Sequence, residues 1–136
     1  MSPSSHSFWP RLLFIKNAVV VLGLFSATVL AQEQAKSVRL TIDYGDGVQK
    51  TYLALACQEK MTVLSALQAA EKHPRPIRLA FKGSGETTFI TAIDDVENEG
   101  FEARNWRYSI NDQPAQYSAG VAELKPGDVV IWRFAK

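Results

Sequence analysis

Cysteine is nearly absent from this 136-residue chain, with Cys57 alone, and histidine is scarce, with only two. A lone cysteine excludes a framework of internal disulfides. Its setting, LALAC at 53–57, reads as a small apolar residue closing a strand. A free thiol or an intermolecular bridge is the other reading. A cysteine nucleophile needs a base, and His73, the one histidine beyond the N-terminal segment, stands beside Pro74 and Pro76 at a helix end. Zinc coordination needs more Cys and His than this. The chain also lacks a Gly-x-Ser-x-Gly elbow and a phosphate-binding loop, and GSG at 83–85 is too short for either. DDVENEGFE (94–102) gathers Asp94, Asp95, Glu97, Glu99 and Glu102, oxygen ligands of the kind calcium takes. Neither their spacing nor the glycine matches an EF-hand, so the run reads as a solvated acidic loop with no metal. With no nucleophile beside a base, the chain reads as a non-enzyme that carries no cofactor of its own.

Long apolar runs are missing too, with one exception. AVVVLGLFSATVL (18–30) follows Arg11 and Lys16 and ends at VLA before the polar QEQAK. It is short for a membrane span and fits a secretory signal over residues 1–31, cleaved after Ala31. An uncleaved N-terminal anchor is the alternative, and then the membrane is met only through this segment. Both imply export, to periplasm, cell surface or medium. Arg11 and Lys16 belong to that leader, which leaves residues 32–136 with 13 Lys plus Arg against 14 Asp plus Glu. The charges are interspersed, so the footprint of a nucleic-acid binder is missing.

What remains is one domain's worth of chain with clear periodicity. SVRLTIDY (37–44) alternates Val38, Leu40 and Ile42 against Arg39, Thr41 and Asp43, as a half-buried strand does. GDG at 45–47 supplies a turn, and VQKTYLALA (48–56) returns as the second arm of a hairpin. TVLSALQAAEKH (62–73) then switches to helical spacing, with Val63, Ala66, Leu67 and Ala70 on one side, Thr62 as N-cap and Pro74 as stop. IRLAFKG (77–83) and TTFITAIDDV (87–96) read as strands around a GSGE turn (83–86). ENEGFEAR is a polar loop, NWRYSIN (105–111) a strand, and KPGD (125–128) a tight turn before the final strand VVIWRFA. The order implies an α+β fold: a mostly antiparallel sheet cradling one helix, the β-grasp plan.

This succession of VRLTIDYGDG, TVLSALQAA, TTFITAID, NWRYSIN and LKPGDVVIWRF resembles the transcobalamin C-terminal-like β-grasp domains. Those occur as the small β-domain of cobalamin carriers and in bacterial exported proteins. The resemblance covers about Ser37 to Phe134. It implies a β-grasp fold over 32–136 and, by analogy with the carriers, a small ligand such as a corrinoid. In the carriers a helical barrel supplies the other half of the pocket, and no barrel is present in this sequence. The hairpin dipeptide often Asn-Gly in the family is Asn111–Asp112 in this chain.

Strand period sets Trp106, Tyr108 and Ile110 on one face, and groups Val130, Trp132 and Phe134 likewise. If the two strands pair, these ladders form core and meet the helix stripe of Val63, Leu67 and Ala70. The competing reading makes Trp106 and Tyr108 a stacking surface for a flat ligand. Phe89, after the glycine turn, and Asn111 complete the candidate ligand-binding set. Two functions follow: an exported ligand-binding module, cobalamin among the candidate ligands, or an extracytoplasmic protein-interaction module that pairs through an exposed sheet edge.

Overall fold

The computed structural model describes residues 36–136, so the expected leader and the cleavage point at Ala31 lie outside the described residues. β1 (Ser37–Asp43) keeps the expected alternation, with Val38, Leu40 and Ile42 buried and Arg39 exposed. It turns through Gly45–Gly47, where the Asp43 and Asp46 carboxylates accept from the Gly45 and Val48 N–H groups, each at 3.0 Å. Gly45 has φ +75°, and a Cβ there would stand 2.4 Å from the Phe134 carbonyl oxygen, so only glycine fits. β2 (Gln49–Ala56) pairs antiparallel with β1, with Leu40 opposite Tyr52.

α1 (Val63–Glu71) begins at Thr62, whose hydroxyl accepts from the Ser65 N–H at 3.1 Å, while Ser65 Oγ accepts from the Thr62 N–H at 3.2 Å. This reciprocal cap satisfies two of the free donors that every helix start leaves. The helix buries Val63, Ala66, Leu67 and Ala70 and ends at Lys72, just short of the prolines. Each fully buried side chain of leucine size contributes about 1.5–3 kcal/mol.

β3 (Leu79–Lys82) is followed by a single 3-10 turn, Gly85–Thr87, then β4 (Phe89–Ile93), β5 (Val96–Glu97), β6 (Asn105–Ile110), β7 (Gln113–Pro114) and β8 (Val129–Ala135). The strands form two sheets. One has the order β2-β1-β8-β6-β7, in which only β1 and β8 run parallel. The other is β3-β4-β5. The fold is therefore mostly β with one helix among the described residues, an α+β arrangement.

Two details differ from the sequence expectation. The run TTFITAIDDV is not one strand, because Asp94 and Asp95 both take positive φ (49° and 66°). They make a two-residue turn that folds β4 onto β5, with Ile93 opposite Val96. Asn111 and Asp112 (φ 49° and 64°) do the same between β6 and β7. Nor does the helix cover the aromatic ladders. It packs on β1, β2 and β3, while β4 lies over β6. Asn98 joins the two sheets across that layer. Its Oδ1 accepts from the Trp106 N–H at 2.8 Å and its Nδ2 donates to the Ile90 carbonyl at 2.8 Å.

Asp94 pins the other end of the small sheet. It accepts from Lys50 Nζ at 2.7 Å, from the Arg78 N–H at 2.8 Å and from the Tyr44 hydroxyl. Burial opposes its ionisation, but these donors outweigh burial and hold the carboxyl below its ordinary value. A carboxyl depressed in the folded state stabilises the fold at neutral pH. That contribution disappears as pH falls from about 3.9, the unfolded aspartate value, through the depressed folded one. Urea midpoints followed from neutral to acid pH should drop in that window for the parent. They should drop less for Asp94→Asn, which also starts lower at pH 7. Parallel pH curves for the two proteins would reject the role given to Asp94.

Candidate functional site

β6 and β8 pair so that Trp106 stands opposite Phe134 and Tyr108 opposite Trp132. Their rings are in contact at centroid separations of 5.3 Å and 4.9 Å, and Tyr44 meets Trp106 edge-on at 5.7 Å. Trp106 and Tyr108 are only 7% and 8% exposed, so both ladders belong first to the core. The Trp106 indole N–H donates to the Val96 carbonyl at 2.7 Å, and the Tyr108 hydroxyl donates to the Tyr117 carbonyl. Burial raises the Tyr108 phenol above its usual range, which keeps it a neutral donor.

One end of this aromatic floor is open. A concavity of about 350 Å³ is bounded there by Phe89, Trp106, Tyr108, Tyr117 and Trp132, with Arg107 and Pro114 on its lip. Phe89 and Tyr117 are its exposed walls, at 59% and 68%. The loop that carries Tyr117 is tied down from both sides. Ser118 Oγ donates to the Thr88 carbonyl at 2.8 Å, and the Ala115 N–H to the Tyr108 carbonyl at 3.0 Å. Gly120 lets this loop sit directly on the 85–88 segment just before β4. A Cβ there would lie 2.3 Å from Thr88 Oγ1 and 2.4 Å from the Gly85 carbonyl oxygen.

Two buried polar side-chain atoms among the described residues lack a hydrogen-bond partner, Thr88 Oγ1 and Trp132 Nε1, and both residues line this cleft. Thr88 Oγ1 lies beneath Gly120. Trp132 is 3% exposed, and an indole N–H left without an acceptor at that depth costs about 1–3 kcal/mol.

The structure thus brings Phe89, Trp106 and Tyr108 together and sets Asn111 apart. Asn111 Nδ2 donates to Asp128 at 2.8 Å and its Oδ1 accepts from the Val129 N–H at 2.8 Å, so the side chain locks a hairpin turn to the start of β8. Tyr117 was not singled out by sequence, although an aromatic inside the polar stretch AQYSAG was a visible signal. Trp132 was read only as core. The acidic run does not converge: Asp94 is engaged as above, Asp95 pairs with Arg78, and Glu99 with Arg104 at 2.6 Å. Among the described residues no group of three or more His, Cys, Asp or Glu is placed to hold a metal ion. Cys57 is half-buried against the core.

The described residues form a small α+β domain with an aromatic cleft of ligand size. The chain belongs to the family described as Domain of unknown function (DUF4430), whose profile matches residues 61–136. No curated protein matches the sequence. Among solved structures, the chain is similar to a "putative metal binding protein" from Ruminococcus gnavus ATCC 29149. The TM-score is 0.60 at 14% identity, covering 74% of this chain and 97% of that one. It is also similar to haptocorrin in complex with Cbi, with TM-score 0.54 at 16% identity, covering 74% of this chain and 25% of haptocorrin. The chain therefore spans about a quarter of haptocorrin, and both likenesses are of fold.

Gly120→Ala tests how the cleft is assembled. Forcing a methyl against Thr88 and Gly85 should lower stability by about 1–3 kcal/mol in urea unfolding, because the contacting backbone has nowhere to go. An unchanged midpoint would show that the Tyr117 loop does not rest on Gly85 and Thr88.

Proposed function

We propose that the chain is an exported, non-enzymatic β-grasp module that binds a small ligand in the aromatic cleft. The observation that carries this reading is the cleft walled by exposed Phe89 and Tyr117 over the rings of Trp106, Tyr108 and Trp132. Exposed aromatic walls over an aromatic floor suit a flat, largely apolar molecule. The non-enzymatic part is supported by the lining of the cleft, in which there is no His, Cys, Asp or Glu to serve as base or thiol nucleophile. Export rests on the sequence of residues 1–31, and the β-grasp arrangement on the β1–β8 parallel pair at the centre of the large sheet with α1 across it.

The fold shared with part of haptocorrin supports a corrinoid as one candidate ligand. Size limits how it would be held. At about 350 Å³ the cleft lies at the low end of ligand pockets, so a corrinoid would be contacted on one side only. A smaller ring system fits the cleft as it stands. The second reading, a protein-interaction module, draws on β2, which ends the large sheet among the described residues and exposes Leu53 at its middle.

Calorimetric titration of the full chain with cobalamin and cobinamide tests the corrinoid form of the proposal. Indole N–H signals in NMR, three from the three Trp, test the cleft itself. A ligand seated as proposed shifts the Trp132 signal, leaves the Trp106 signal near its Val96-bonded position, and weakens at least about tenfold in Phe89→Ala/Tyr117→Ala. Both substituted residues are exposed, so the fold should survive. Absence of heat up to millimolar corrinoid would end the corrinoid candidate. Aromatic fragments that leave the Trp132 signal unmoved would end the cleft reading.

A further inference from the structure

Arg107 and Arg133 are direct cross-strand neighbours on the outer face of β6 and β8. Like charges in that position destabilise a sheet pair. Arg133 is relieved by Asp43, with its Nε 3.1 Å from Oδ2. No described residue pairs with the Arg107 guanidinium, so only the Arg133 half of this cross-strand pair has a carboxylate partner. Beside them lies a shallow concavity of about 220 Å³ lined by Arg107, Ser109, Pro114, Ile131, Arg133 and Lys136, among others, and by no acidic residue. Arg107, Tyr108 and Pro114 border both this concavity and the aromatic cleft, so the two meet at the edge of β6.

Arg107 borders the aromatic cleft, and among the described residues its guanidinium has no partner. That guanidinium offers only donors. A ligand that fills the cleft and also meets Arg107 is apolar over its ring and negatively charged at one end. We infer that the ligand is an apolar ring system bearing an oxyanion, a carboxylate or a phosphate, with the ring in the aromatic cleft and the oxyanion on Arg107 beside Arg133. This inference rests on the cleft being the binding site. The planar guanidinium fork of Arg107 gives the oxyanion a bidentate partner, and Arg133 adds charge from the next strand. The repulsion between the two arginines is then relieved when ligand is bound, so it favours the complex.

The test compares four probes on the full chain at low salt: 2-naphthoate, 2-naphthyl phosphate, the neutral 2-naphthalenemethanol and inorganic sulfate. Tryptophan fluorescence and the Arg107 Nε–H signal report on the two halves of the site. The anionic aromatics should bind roughly 10- to 100-fold tighter than the alcohol, the range that a hydrogen bond to a charged group supplies. The preference should vanish in Arg107→Gln with the alcohol unaffected, persist in part in Arg107→Lys, and shrink as salt rises. Arg107→Gln should also keep or raise the urea midpoint, because it removes a repulsion. The ratio of naphthoate to naphthyl phosphate decides which oxyanion the site prefers. Equal binding of anions and alcohol overturns the inference and leaves the cleft standing. Sulfate moving the Arg107 signal while no aromatic probe binds overturns the cleft reading and the joint site with it. Silence from all four probes overturns both.

Discussion

The pairing of β6 with β8 is the constraint on which the rest of the domain depends. Its register decides that Trp106 meets Phe134 and Tyr108 meets Trp132, and a slip of β6 by one residue would turn Trp106 and Tyr108 to the opposite face. Such rings each bury about 150–250 Å², a large share of what a domain this small can hide. Because β8 also pairs in parallel with β1, the ladder is continuous with Leu40 and Ile42 and so with the core under α1. The parallel pair has a topological consequence as well. Its two strands are the first and last of the described fold, so the large sheet is complete only when the chain has closed on itself.

The small sheet is held to this frame by a few polar contacts at its two ends. Asn98 and the Trp106 indole fasten it to β6, and Asp94 fastens its turn to the β1–β2 hairpin through Lys50 and Tyr44. The polar groups named here satisfy one another, which is what a half-buried junction requires. Two buried atoms are different, since among the described residues the Trp132 indole N–H and Thr88 Oγ1 have no partner. Both residues line the cleft at the open end of the ladder. Similar contrasts hold on the outer face, where Arg133 has its Asp43 and Arg107 has no such partner.

Much of the fold was legible because period and chain punctuation are local properties. Alternation in SVRLTID and i, i+3, i+4 spacing in VLSALQAA fix which side chains are buried once any sheet and helix form. Turn chemistry was legible less completely. Asn111–Asp112 was visible as a hairpin dipeptide, yet Asp94–Asp95 passed as strand, since paired positive φ in two aspartates leaves no mark in hydropathy. The site was legible in part. Phe89, Trp106 and Tyr108 converge, whereas Asn111 proved to be a turn lock, and Tyr117 arrived from a loop whose position depends on the contacts of Ser118 and Gly120.

The sequence by itself determined the elements, their order, the faces they bury and the absence of a disulfide framework, because each follows from residue type and spacing along a few neighbouring positions. Tertiary structure alone decided that the ladders lie beneath a second sheet instead of the helix. It alone left one tryptophan donor unpaired, and it set Arg107 across from Arg133, twenty-six positions later in the chain. These are relations between distant segments. They depend on strand register and on which loop fills which gap, and neither quantity is encoded in the local pattern of either segment.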